Sequence, residues 1–133
     1  MNYNNMDSII AYNARERYRT VITDNEHQII ADEPIAVGGT NQGLSPSQLL
    51  ASSLASCSAI TIRMYADRKK WELDEIIISV SIVKQLATKT TKFRKQIDFT
   101  GNLTEEQTAR LKEIANKCPV HVILSNSIEI ESN

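Results

Sequence analysis

Two cysteines, Cys57 and Cys118, are the residues of this chain best suited to redox chemistry. They lie too far apart in sequence to match the closely spaced pairs that hold zinc, and two cysteines are too few for a framework of structural disulfides. Burial as a small apolar side chain is the common fate of a free cysteine. The pair is therefore either a set of buried side chains or two thiols that react together.

The first cysteine falls within a predicted long helix. Ser45, Pro46 and Gln48 form a capping-box pattern with proline at the first helical position, so the helix is predicted to begin at Pro46. No helix breaker occurs until after Lys70. Residues at spacings of three and four predict one buried face. That face comprises Leu50, Leu54, Cys57, Thr61, Met64 and Tyr65.

The second cysteine lies between two predicted helices. Thr104 and Gln107 repeat the capping-box pattern at the head of a helix over about 105–117. Pro119 cannot continue that helix, but it can open a short one ending near Leu124. Cys118 would then be the N-cap of the short helix, where free backbone amides and the helix dipole favour a thiolate.

Strand-like segments make up the rest of the chain. An antiparallel hairpin or meander is predicted between Ile9 and Ala31, with a turn at 24–26, and is followed by a loop that holds three of the four glycines. Residues 76–83 and 93–99 are rich in β-branched and apolar side chains, and 127–131 alternate between apolar and polar. The length of 133 residues predicts a single domain, 1–133.

Composition and charge narrow the possible partners and compartment. Fifteen basic and sixteen acidic residues give a net charge of -1, which provides no general attraction to nucleic acid or anionic membranes. The first residues lack a signal-peptide pattern, and no run of about 18 apolar residues occurs. We therefore expect a cytoplasmic protein with no nucleic-acid partner and no membrane span.

Three segments together resemble the OsmC/Ohr family of thiol-dependent peroxide-handling proteins. They come in the family's order and at roughly its spacing, and the helix continuation over 61–71 looks most like the OsmC-like branch. The segments are Gly38-Gly39-Thr40-Asn41-Gln42-Gly43-Leu44-Ser45-Pro46, Leu49-Leu50-Ala51-Ser52-Ser53-Leu54-Ala55-Ser56-Cys57-Ser58-Ala59 and Asn116-Lys117-Cys118-Pro119-Val120-His121.

The resemblance implies an α+β fold of antiparallel strands wrapped around a long central helix in an intertwined homodimer. The active sites would lie at the subunit interface, with Cys57 as the peroxidatic thiol and Cys118 as the resolving thiol. The family uses an arginine from the N-terminal strand region to hold the first thiol as an anion. Arg15, Arg17 and Arg19 are the candidates, and alternation along a strand would place all three on one face. Arg17 is favoured.

One position departs from the peroxidase branches of the family. They place a glutamate just after the helix-starting proline to orient the arginine, and Ser47 stands there in this chain. Glu16 or Glu33 are possible replacements, and either is also explained as an exposed acid. His121 is either a source of positive charge near Cys118 or an ordinary surface or core histidine.

Two functions of different classes fit these residues. The first is a thiol peroxidase in oxidative stress defence, which reduces organic hydroperoxides or hydrogen peroxide and is recycled by a cellular dithiol reductant. It requires no metal, flavin or haem. The second is a non-enzymatic protein that binds a small apolar ligand in the same interfacial pocket or senses redox state through the thiols. An accessory partner of another enzyme is a third possibility.

Overall fold

A computed structural model describes residues 8–133 of the chain. These residues form two compact units, the first ending at Leu49 and the second comprising Leu50–Asn133. Each unit is described by itself below. The expectation that 1–133 form a single domain stays a prediction.

Unit 1 contains a three-stranded antiparallel sheet. Its strands β1 (Ile10–Asn13), β2 (Thr20–Thr23) and β3 (Gln28–Ala31) pair in the order β1-β2-β3. Asp24 closes the β2–β3 turn, because its Oδ1 accepts hydrogen bonds from the backbone amides of Glu26 and His27. The predicted hairpin or meander is therefore confirmed as a three-stranded meander, with the predicted turn at 24–26 between β2 and β3.

The segment that carries the three candidate arginines is a turn between β1 and β2. The Arg17 backbone has a φ of 47°, and its amide donates to the carbonyl of Arg15 at 2.9 Å. A left-handed residue interrupts the alternation that a strand requires. The prediction that Arg15, Arg17 and Arg19 share one face of a strand is therefore wrong.

The glycine-rich loop of unit 1 is built around a buried carboxylate. Asp32 is 1% exposed and accepts hydrogen bonds from the amides of Glu33, Thr40 and Gln42 and from the Thr40 hydroxyl. The Thr40 hydroxyl and these amides hold the pKa of Asp32 at about 2. A Cβ on Gly39 would lie 2.0 Å from the Glu33 carbonyl oxygen, so only glycine fits there.

Helix α1 (Pro46–Lys69) begins where the sequence predicts. The Ser45 amide donates to the Gln48 side chain at 2.9 Å, and the Gln48 amide donates to the Ser45 hydroxyl at 3.2 Å. Among the described residues, α1 is the one helix long and apolar enough to cross a membrane by length and composition alone. Within unit 2, however, one face of α1 is part of a packed core.

The buried face of α1 differs from the predicted one. The inward residues are Leu54, Ser58, Ile62 and Ala66, four positions apart, and Met64 is 61% exposed. Small residues at two of these positions let neighbouring elements approach closely, which apolarity alone does not reveal. Only Leu54 was expected on this face, and Cys57 lies at its edge, partly exposed.

Unit 2 joins α1 to a long hairpin and two shorter helices. Strands β4 (Glu72–Gln85) and β5 (Thr90–Asn102) pair antiparallel, and helices α2 (Glu105–Ala115) and α3 (Pro119–Ser125) follow. Thr104 and Gln107 complete the predicted capping box of α2. The hydrophobic core consists of Ile62, Ala66, Leu73, Leu111 and Ala115, with Ile76, Ile78, Ile97 and Phe99 packed against it.

The strand predicted over 127–131 does not form. Residues 127–133 have neither helical nor strand structure, and Ile130 is 88% exposed. An alternating sequence needs a neighbouring strand to supply its hydrogen bonds, and no described strand pairs with this segment.

Candidate functional site

The two cysteines meet in unit 2. Cys57 lies on α1 and Cys118 is the N-cap of α3, and the two sulfurs are neighbours because both accept hydrogen bonds from the first turn of α3. Both are free thiols. Cys118 is fully buried (0% exposed), whereas Cys57 is partly exposed. The fold therefore brings together two residues from distant parts of the sequence and leaves one of them accessible.

The first turn of α3 supplies one backbone amide to each sulfur. Pro119 has no amide proton, so the first donors are the amides of Val120 and His121. The Val120 amide donates to Cys57 Sγ at 3.5 Å, and the His121 amide donates to Cys118 Sγ at 3.2 Å. Such amides at a helix N-terminus stabilise negative charge on sulfur.

A lysine that sequence reasoning missed lies beside this pair. Lys95 Nζ on β5 donates to Ser58 Oγ at 3.0 Å and to the Ala115 carbonyl oxygen at 3.1 Å. It also lies 3.3 Å from His121 Nδ1. Ser58 is fully buried, and its hydroxyl lies 3.5 Å from Cys118 Sγ. The hydroxyl thus connects the lysine to the buried thiol.

The ammonium of Lys95 determines which ring nitrogen of His121 carries the proton. An ammonium has only donors, so His121 Nδ1 accepts from Lys95 and the ring proton is on Nε2. Burial and the charge of Lys95 lower the pKa of His121. His121 is therefore neutral, and its interpretation as a source of positive charge is wrong. Lys95 provides that charge.

The two thiols differ in acidity. Burial raises the pKa of Cys57, and the neighbouring Cys118 adds to the effect despite the Val120 amide. Burial also works against ionisation of Cys118, but the hydrogen bonds from Ser58 and the His121 amide outweigh it, with help from the Lys95 charge. The pKa of Cys118 is lowered as a result. Cys118 is the more acidic thiol of the pair.

A weak signal for Lys95 was present in the sequence. On β5 the partly buried positions alternate as Phe93, Lys95, Ile97 and Phe99. A lysine at an inward position of such a strand indicates a buried charge with a specific partner. The pattern gives no partner, because the partners come from α1, α2 and α3.

The predicted activating arginine lies in unit 1. Arg17 Nη1 donates to the Gly38 carbonyl oxygen at 3.3 Å, and Arg17 lines a cavity of about 450 Å³ with Tyr18, Asp32 and Pro46. Ser47 is exposed at the second residue of α1. The role of Arg17 stays a prediction.

The other charged candidates of unit 1 interact with each other or with polar groups. Arg19 lies 3.9 Å from the exposed Glu16 carboxylate, and its Nε donates to Gln42 at 3.0 Å. Glu33 lines the same cavity as Arg17. In the part of the chain from residue 8 onward, no group of three or more His, Cys, Asp or Glu side chains could hold a metal ion.

Fold and site together define an α+β protein with a thiol pair at the junction of a long helix and a short one. The family model for OsmC-like proteins matches residues 39–133. The chain therefore belongs to the OsmC-like family. A comparison with curated proteins finds no match.

Solved structures of the same fold are similar over most of the chain. An OsmC-like protein from Mycoplasma pneumoniae is 18% identical with a TM-score of 0.76, over 92% of this chain and 89% of that one. An organic hydroperoxide resistance protein from Legionella pneumophila is 24% identical with a TM-score of 0.62, over 88% of each chain. The organic hydroperoxide resistance protein OhrB of Bacillus subtilis is 25% identical with a TM-score of 0.58, over 87% of each chain. The predicted α+β class and OsmC-like fold are confirmed, and the homodimer stays a prediction.

Proposed function

We propose that this protein is a thiol peroxidase that reduces organic hydroperoxides or hydrogen peroxide through Cys57 and Cys118. The observation that carries the proposal is the placement of two free thiols, one partly exposed and one fully buried, whose sulfurs accept from consecutive amides of α3. The names of the Legionella pneumophila and Bacillus subtilis proteins, which refer to hydroperoxide resistance, support the substrate class. The accessible thiol is the one that a peroxide can reach.

The reaction has two steps before reduction. The Cys57 thiolate attacks the terminal peroxide oxygen, the O–O bond breaks, and the leaving alkoxide takes a proton to become an alcohol. Cys57 is then a sulfenic acid. The Cys118 thiolate attacks that sulfur, the hydroxide leaves as water after taking a proton, and a disulfide forms. A cellular dithiol supplies the two electrons that restore both thiols.

Cys57 needs a cation during the first step, because burial raises its pKa. Arg17 is the proposed source, on the family resemblance and on its position at the cavity of unit 1.

Oxidation with one equivalent of peroxide tests the proposal directly. We expect peptide mapping to find Cys57 joined to Cys118 within one subunit, because both sulfurs lie at the first turn of α3. In the Cys118→Ser variant, a sulfenic-acid reagent should label Cys57 instead. A Cys57 that stays reduced while added glutathione is oxidised would refute the peroxidatic role.

A homodimer in the cytoplasm is part of the proposal. Several large apolar side chains of unit 2 are exposed, and burial against a second subunit would remove them from water. They are Ile60, Met64, Ile77, Val122 and Ile123. Sedimentation equilibrium should give twice the chain mass of 14.9 kDa at micromolar concentration. A single species at the chain mass contradicts the dimer.

A ligand-binding role is the second candidate. A cavity of about 220 Å³ in unit 2 has Leu54, Phe93 and Leu124 as apolar walls, with Lys95 and His121 among its polar lining. This arrangement suits a small apolar ligand with one polar end. Saturable binding of such a ligand by a protein whose thiols do not react with peroxide would favour this function.

A further inference from the structure

Lys95 carries a charge whose counterion is absent from its direct contacts. The three contacts of its ammonium are a hydroxyl, a backbone carbonyl and an imidazole, all of them neutral. Among the described residues, no carboxylate lies within ion-pair distance of Lys95. The side chain is partly buried, and a charge removed from water without a counterion is costly.

Only a few groups of unit 2 can balance that charge. The titratable groups that face Lys95 are His121 on α3, Cys57 on α1 and Cys118 at the head of α3. His121 accepts a hydrogen bond from the ammonium and is neutral. Burial lowers the pKa of Lys95, and negative charge on Cys118 or Cys57 opposes that shift. Among the described residues of unit 2, the two thiols are therefore the groups that can act as its counterion, in the form of a thiolate.

The hydrogen bonds select Cys118. Ser58 Oγ accepts from Lys95 and lies within reach of Cys118 Sγ, so its own proton is available to that sulfur. Cys118 Sγ also accepts from the His121 amide at 3.2 Å. Cys57 Sγ receives the longer bond from the Val120 amide at 3.5 Å.

We propose that Lys95, acting through Ser58, is a positioning residue that holds Cys118 as the thiolate of the pair. The proposal deepens the proposed function and rests on it for its catalytic meaning: the second step needs Cys118 as a thiolate, ready to attack the sulfenic acid of Cys57. The directions of the pKa shifts, down for Cys118 and up for Cys57, agree with this geometry.

The test measures thiolate content without peroxide. In a Cys57→Ser background the ultraviolet absorbance of thiolate reports Cys118, and a variant with both cysteines replaced corrects for tyrosine. We expect Cys118 to ionise at a lower pH than an ordinary thiol. Replacing Lys95 with methionine should shift this ionisation to higher pH, so that the ratio of thiolate to thiol at a given pH falls about tenfold or more.

Matched variants separate charge from structure. Lys95→Arg keeps the positive charge and should preserve most of the thiolate, whereas Ser58→Ala removes the connecting hydroxyl and should lose part of it. Lys92→Met on the exposed side of β5 should leave the titration unchanged. If Lys95→Met fails to fold, Ser58→Ala carries the test.

The outcomes distinguish this inference from the peroxidase proposal. An unchanged Cys118 titration in a folded Lys95→Met or Ser58→Ala protein overturns the role of Lys95, whatever the peroxidase activity. An equal loss of thiolate in Lys95→Arg and Lys95→Met also overturns it, because charge would then not matter. A Cys118 titration that changes with the charge at position 95, in a protein without peroxidase activity, supports this inference and refutes the proposed function.

Discussion

Replacing Cys57 with serine should lower the rate of cumene hydroperoxide consumption by about a thousandfold or more, with dithiothreitol as the reductant. A serine hydroxyl is scarcely ionised near neutral pH, and it is a far weaker nucleophile toward peroxide than a thiolate. Loss of the reacting atom removes the whole covalent route, so the remaining rate should equal that of the reductant alone. Steady-state assays of peroxide loss measure the effect.

Controls on unit 1 test the activating cation in the same assay. Arg17→Ala should slow peroxide consumption by about 10²-fold, because an opposite charge near a thiol changes its pKa by more than one unit. Arg15→Ala, a neighbouring change in the same turn, should have little effect. Equal rates in the wild type and Cys57→Ser would contradict peroxidase function, and equal rates in the two arginine variants would remove Arg17 from the site.

Replacing Leu111 with alanine should lower the free energy of unfolding by about 3 kcal/mol. Leu111 is 0% exposed in the core of unit 2, and truncation of a buried leucine removes apolar contacts and leaves a cavity. Denaturant unfolding followed by circular dichroism measures the change. One fixed protein concentration is used, since the proposed dimer would unfold in a concentration-dependent way.

Leu86→Ala is the matched control for this change. Leu86 is 89% exposed in the turn between β4 and β5, so the same truncation should alter the free energy of unfolding by less than about 0.5 kcal/mol. A similar loss of stability in the two variants would contradict the described core.

Helix starts were predictable because their determinants are local. Ser45 with Gln48 and Thr104 with Gln107 make side-chain bonds to amides three residues away, so a short sequence window contains the whole interaction. Cys118 was placed at the head of α3 by the same reasoning, through Pro119. These predictions placed both cysteines on the elements where the structure has them.

The errors have a different physical origin. The buried face of α1 depends on which neighbours pack against it, and the small residues Ser58 and Ala66 face the core although they carry little apolar surface. The hydrogen-bond partners of Lys95 lie on three elements other than its own strand, so the sequence of β5 does not reveal them. The arginine turn depends on a positive φ at Arg17, for which arginine has no intrinsic preference.

Because Pro119 has no amide proton, the two sulfurs at the head of α3 are matched by two backbone amide donors. Two sulfurs accept from two consecutive amides, and any other residue at position 119 would introduce a third amide next to them. The order cysteine, proline and two amide-bearing residues is therefore a transferable unit. A designer who moves this thiol pair to another scaffold has to carry over the short helix together with the two cysteines.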